Sequence, residues 1–196
     1  MMPGLSYIAL LVVIKMEVRK RLIRTEEPLR TTQLDPNFRH EVSKVHGGES
    51  IVYCFQCGKC TATCPIRRFD EVYRPREIVR AALLGLKEIV LTSDIIWLCA
   101  FCYSCTERCP QGVRLTDVIR ALRNLAVKRG YVHPFFETQG RTVVKFGRIF
   151  DDETEAFINE TRSGMGLPPI PPVSIGELSR VLDCTKVRRI LEIGER

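Results

Sequence analysis

Eight of the nine cysteines fall into two copies of one pattern, Cys54-x2-Cys57-x2-Cys60-x3-Cys64-Pro65 and Cys99-x2-Cys102-x2-Cys105-x3-Cys109-Pro110. Each run can wrap three thiolates around one face of an iron-sulfur cube, because two-residue gaps let a tight loop turn its sulfurs inward. The fourth cysteine lies too far along the chain for the same cube and, where such a run occurs twice, it ligates the other one. The spacing therefore predicts Cys54, Cys57, Cys60 and Cys109 on one 4Fe-4S cluster, and Cys99, Cys102, Cys105 and Cys64 on a second. The chemistry of such a pair is electron transfer, and crossed ligation would staple the two halves together.

Structural zinc and disulfides use cysteines in other patterns. Zinc sites usually present two Cys-x2-Cys knuckles separated by a longer spacer, and dense disulfides belong to small secreted chains. Neither pattern accounts for three evenly spaced cysteines, a fourth after three residues and a following proline, twice over. Cys184 has no cysteine near it in the sequence and reads as a small buried apolar side chain.

The elements that must position these loops read as helices. Asp35-Pro36 followed by Phe38, Val42 and Val45, then Gly47-Gly48, predicts a short capped helix leading into the first loop. Pro75 opens a second helix with Ile78, Val79, Ala82, Leu83 and Leu86 on one face. Ser93 and Asp94 cap a helical turn through Ile95, Ile96 and Trp97. Thr116 reads as the N-cap of a helix carrying Val118, Ile119, Leu122, Leu125 and Ala126 and stopping at Gly130.

Each cysteine loop is thus followed by an amphipathic helix, a repeat of about 45 residues in which Thr61 matches Thr106. The 34 residues between Cys64 and Cys99 hold no alternating strand pattern. The expectation is an all-α, alpha-helical ferredoxin with two 4Fe-4S clusters and extended N- and C-terminal arms. Tyr53, Phe55, Trp97 and Phe101 beside the ligands are expected to be core aromatics around the clusters, not electron wires.

Three parts follow: an N-terminal extension over 1–34, the two-cluster domain over 35–133, and a partner-docking arm with a terminal helix over 134–196. Within the arm, Thr142 to Phe146 alternates loosely, as a short strand or hairpin arm would, and Pro168 to Pro172 is a stiff extended connector. Ser174 and Glu177 form a capping box ahead of Leu178, Val181 and Leu182. The arm holds no nucleophile-base constellation and no Gly-rich phosphate loop.

At 196 residues with 45% hydrophobic content, the chain builds one compact domain plus arms. The formal charge of +7 falls to about +3 when each oxidised cube and its four thiolates bring about −2. Nucleic-acid binding, which needs a concentrated basic stripe or a recognisable module, is not expected. Arg67, Arg68, Arg108 and Arg114 flank the runs and either temper cluster charge, steer an acidic partner or sit solvated at the surface. The apolar stretch Tyr7 to Ile14 is too short for a bilayer that needs about 20 residues. It lacks the basic lead and cleavage site of a secretory signal. It packs on a partner protein, or translation starts at Met16; oxygen-sensitive cofactors and no export signal point to a reducing cytoplasm.

Cys54-Phe-Gln-Cys-Gly-Lys-Cys-Thr-Ala-Thr-Cys-Pro65, Tyr73-Arg-Pro-Arg, Ala82-Leu-Leu-Gly-Leu86, Trp97-Leu-Cys99, Cys102-Tyr-Ser-Cys105 and Glu107-Arg-Cys-Pro110 together resemble HdrC, the C-type component of the cytoplasmic heterodisulfide reductase of methanogenic archaea. The likeness continues through Thr116-Asp117 and Ile119-Arg-Ala-Leu-Arg-Asn-Leu-Ala126 to Gly130-Tyr131, covering roughly residues 50 to 133. The cysteine runs alone are shared with iron-sulfur subunits of succinate dehydrogenase, fumarate reductase and glycolate or glycerol-phosphate oxidases. The resemblance implies an electron-transfer subunit. It would stand between a flavin- and cluster-bearing A-type subunit, which supplies electrons, and a catalytic B-type subunit, where the coenzyme M-coenzyme B heterodisulfide is reduced. A hydrogenase or formate dehydrogenase would join in a larger assembly. In this family Cys-Cys-Gly motifs mark the catalytic subunit; this chain has no Cys-Cys pair, so no active site of its own is expected.

Overall fold

The computed structural model describes residues 30–185 and 187–193, and the apolar stretch Tyr7 to Ile14 lies outside them. Among the described residues every regular element is helical and none is a strand. The chain divides into two compact units, the first ending at Tyr131 and the second starting at Val132.

In the first unit, α1 (Phe38–Ser43) precedes a 3-10 turn, Glu49–Tyr53, that leads into the first cysteine loop. The short helices α2 (Lys59–Ala62) and α3 (Pro65–Phe69) lie in and just after that loop. They are followed by α4 (Pro75–Leu83) and α5 (Lys87–Leu91). A second 3-10 turn, Asp94–Leu98, is capped as expected: the Ser93 hydroxyl accepts the Ile95 N–H at 3.1 Å. The second loop contains α6 (Ser104–Glu107), and α7 (Leu115–Lys128) closes the unit.

Periodicity explains the core. On α7, Val118, Ile119, Leu122, Leu125 and Ala126 are all buried, as their spacing predicts. They share the interior with Phe38, Val42, Ile51, Ile78, Val79 and Leu91. Both long helices end on a left-handed glycine with paired closing bonds. Leu86 and Gly85 donate to Ala81 and Ala82 after α4, and Tyr131 and Gly130 donate to Ala126 and Val127 after α7. Leu86 therefore lies past the end of α4, not on its face, yet is still buried.

Two cap assignments change. The helix after Asp35 starts at Phe38 with Asn37 in the cap position, because the Asp35 carboxylate folds back to accept the Asn37 N–H at 2.9 Å. Thr116 lies inside α7, one residue past Leu115, and Arg114 holds the cap position.

The second unit contains α8 (Pro134–Phe146), α9 (Asp152–Gly164), α10 (Ile175–Cys184) and α11 (Val187–Ile193). The strand expected over Thr142 to Phe146 is instead the last part of α8. His133 caps that helix, Pro134 stands at N1 and Gly147 terminates it with φ +72°, so end signals outweigh a five-residue alternation. The α9 helix is an addition to the sequence reading, although Asp151 caps it by accepting the Thr154 N–H at 2.9 Å and acidic residues fill its first turn. Ser174 holds the cap position of α10 without making a side-chain capping bond, so the predicted capping box does not form. Cys184 is exposed, contrary to the buried reading. Leu178 and Leu182 face inward one turn apart on α10, and a residue two positions past Leu182 points away.

Candidate iron-sulfur centres

Left-handed residues alternate with the cysteines in both loops, at equivalent places. In the first loop they are Gln56 (φ 65°) and Gly58 (φ 86°); in the second they are Phe101 (φ 52°) and Tyr103 (φ 61°). Three of these four are not glycine, and each such residue carries roughly 1–2 kcal/mol of steric cost. The reversals turn successive side chains to one side of the loop. The third cysteine of each run, Cys60 or Cys105, is held on the short helix α2 or α6.

The eight cysteines of the runs divide between two small cavities. Cys54, Cys57 and Cys60 line the first with Cys109, Lys59, Arg76 and Leu115. Cys99, Cys102 and Cys105 line the second with Cys64, Tyr73, Pro75 and Thr116. The fourth cysteine of each run thus lies with the other run's first three.

A cluster suits these rings. Four thiols spread around a cavity match a cubane, whose irons occupy separate corners.

The sulfurs have polar neighbours. In the first cavity the Gln56 amide donates to Cys54 Sγ at 3.3 Å and the Val113 N–H donates to Cys109 Sγ at 3.3 Å. In the second, Cys105 Sγ and the Thr116 hydroxyl are 3.5 Å apart, and Cys102 Sγ and the Ser104 hydroxyl 3.6 Å. Burial pushes the Cys60 thiol up to about 11 and raises Cys64 and Cys105 as well. The Ser104 hydroxyl lowers Cys102. Buried thiols of this kind become thiolates by binding metal, which releases their protons.

Tyr73 and Arg123 stand in the sequence only within segments of the family likeness, with no role attached to either, and both lie against the second loop. Tyr73 is fully buried; burial first, then the charge of the Cys99 thiolate and a hydrogen bond with it, push its phenol far above its ordinary range. Arg123 is only 8% exposed. Its Nε donates to the Ile96 carbonyl at 2.8 Å and its Nη2 to the Cys99 carbonyl at 2.9 Å. The signal for Arg123 is a charge on the buried face of α7, one turn after Ile119.

The aromatics beside the ligands do not behave as one set. Tyr53 and Phe55 are 65% and 58% exposed, so they are not core residues. They flank Cys54, the first cysteine of the first loop. Trp97 and Phe101 are half-buried under Arg123, whose guanidinium carbon is 5.3 and 4.5 Å from their ring centres. Among the flanking arginines, Arg67 and Arg68 line an open cleft with Arg74 and Arg76 beside the first loop. Arg114 pairs with Asp117 at 2.8 Å, and Arg108 is exposed.

Comparison with known proteins bears on the same residues. A family described as a 4Fe-4S dicluster domain matches residues 50–113. The chain is 39% identical over 186 residues to the C-type subunit of the H(2):CoB-CoM heterodisulfide,ferredoxin reductase of Methanothermobacter thermautotrophicus, covering 89% of this chain and 97% of the relative. It is 39% identical over 165 residues to the C-type iron-sulfur subunit of the CoB--CoM heterodisulfide reductase of Methanopyrus kandleri, with 81% of each chain covered. The chain belongs to the HdrC family of heterodisulfide reductase subunits.

Membership separates it from the dehydrogenase subunits that share the cysteine runs alone. The HdrC family's dicluster domain brings two 4Fe-4S clusters, and the chain is an electron-transport component of an oxidoreductase with partner subunits. Among the described residues no helix is long and apolar enough to cross a membrane.

Proposed function

We propose that this chain is the electron relay of a CoB-CoM heterodisulfide reductase, with no active site of its own. It takes electrons from the flavin- and cluster-bearing A-type subunit. It delivers them to the catalytic B-type subunit, which reduces the coenzyme M-coenzyme B heterodisulfide. Cys54, Cys57, Cys60 and Cys109 hold one 4Fe-4S cluster; Cys99, Cys102, Cys105 and Cys64 hold the other. Each cluster, when bound, supplies a one-electron couple.

The observation that carries this reading is the division of the eight cysteines between two adjacent cavities. Once those thiols are committed to iron, the described residues offer only the single exposed Cys184, whereas attack on a disulfide needs a free thiolate and somewhere to resolve the mixed disulfide. The relatives' names support the substrate of the whole assembly. A hydrogenase or formate dehydrogenase upstream fits a relative named for both hydrogen and formate. Oxygen-sensitive clusters support a reducing cytoplasm as the site of the assembly.

Anaerobic affinity purification of the tagged chain from its own cells tests the reading. About eight irons per chain, with flavin-bearing and Cys-Cys-Gly subunits travelling alongside, is the expected result. Co-purification with a quinone-linked dehydrogenase, or heterodisulfide reduction by the isolated chain, would overturn it.

A further inference from the structure

The two halves anchor their long helices in the same way, which makes their differences countable. Thr61 accepts the backbone N–H of Arg76 near the start of α4, and Thr106 accepts that of Thr116 near the start of α7. Seven residues beyond each anchored amide stands Leu83 in the first half and Arg123 in the second. The first cavity has cationic neighbours, Lys59 and Arg76, but both are exposed to solvent, where water and salt screen them. Arg123 is buried, lies over two aromatic rings, and is fixed by two carbonyls, one of them the carbonyl of Cys99 itself.

We propose that Arg123 positions Cys99 and raises the reduction potential of the cluster held by Cys64, Cys99, Cys102 and Cys105, leaving the other cluster untouched. This rests on the ligand sets given above. Reduction adds one electron, and so one negative charge, without making or breaking a bond. A cation held in a low-dielectric shell beside the cluster favours the more negative state. The two carbonyl bonds keep the guanidinium from following solvent, and they fix the backbone from which the Cys99 sulfur projects.

The test is a mediated potentiometric titration of the anaerobic, iron-loaded full chain, followed by electron paramagnetic resonance. Wild type, Arg123→Met and Arg123→Lys are compared after each is shown to hold its iron. Repeating the titration with Cys102→Ser, which alters the ligation of the second-cavity cluster alone, identifies the midpoint that moves. In Arg123→Met, the equilibrium for electron uptake by that cluster should fall at least about tenfold, which is about 59 mV for one electron, while the other midpoint stays in place. Arg123→Lys, which keeps a cation without the planar two-carbonyl geometry, should recover part of the shift.

Two intact clusters with neither midpoint moved, both moved equally, or only the first-cavity cluster moved would overturn the inference. Should Arg123→Met shed iron, the lysine variant is read in its place: a smaller shift in the same direction, confined to the second-cavity cluster, supports the inference, and an unmoved midpoint rejects it. A wild-type chain that binds fewer than two clusters removes the ligand reading first, a result distinct from either.

Discussion

The hydroxyl of Thr61 accepts the backbone N–H of Arg76 at 3.0 Å, tying the short helix that carries Cys60 to the start of α4. Thr106 makes the equivalent bond to Thr116 at 3.3 Å and also donates to the Thr116 hydroxyl. Each threonine satisfies one of the amides that a helix start leaves without an intrahelical partner. Each also fixes the distance between a ligand loop and the helix that covers it. Thr61→Val should cost about 1 kcal/mol in thermal unfolding of the iron-loaded chain, and Thr61→Ser should restore most of it. A valine variant as stable as wild type would show that the bond contributes nothing.

Cys64→Ala should remove the cluster of the second run, although Cys64 belongs to the first. The buried Cys64 lines the cavity of Cys99, Cys102 and Cys105. Iron analysis should fall by up to about four per chain, and the surviving spectrum should match that of a Cys102→Ala variant, not that of Cys57→Ala. Loss of the Cys57 cluster instead would reverse the pairing.

Gly85→Ala should be strongly destabilising for two separable reasons. A Cβ at Gly85 would come within 2.3 Å of the Asp35 carbonyl oxygen, and the residue sits at φ +82°. Gly112 shares the left-handed backbone, at φ +64°, but has open space around it. Gly112→Ala should therefore show only the conformational cost, roughly 1–2 kcal/mol, and Gly85→Ala clearly more. Equal melting temperatures for the two variants would remove the steric part of the argument.

Lys87 bridges Glu41 and Asp35, the latter at 3.3 Å, while Arg129 joins Glu41 at 3.6 Å and Glu88 at 3.2 Å. The network ties α1, and Asp35 just before it, to the start of α5 and the end of α7. Its members are partly exposed, so Lys87→Met should cost no more than about 1 kcal/mol. The difference from wild type should shrink in concentrated salt. A loss that is both larger and independent of salt would mean that Lys87 acts through its packing on Phe38, whose ring centre is 5.7 Å from the ammonium.

Where burial and period agree, the fold is legible in the sequence. The apolar stripe of α7 carries enough signal that each residue named on it is buried, and the cysteine spacing anticipates which sulfurs share a cavity. Thr142 to Phe146 misleads because five residues are too few to tell a strand period from the end of a helix. The information lies at the helix ends, in His133-Pro134 and Gly147. Cys184 and Phe55 mislead for the opposite reason: an apolar side chain near a ligand or in a helix says nothing by itself about the direction it faces. Arg123 is easily passed over because a charge inside an apolar stripe looks like noise until its carbonyl partners from distant residues are in view.

On the ligand sets proposed above, the exchange of Cys64 and Cys109 would also set an order on biosynthesis. A nascent chain that has emerged as far as Cys64 offers three thiols to the first cavity and one to the second. The second ring is complete once Cys105 leaves the ribosome, whereas the first must wait for Cys109. The earlier half of the gene product would then be the later to be ready for iron, and truncation before Cys109 would leave it one thiol short.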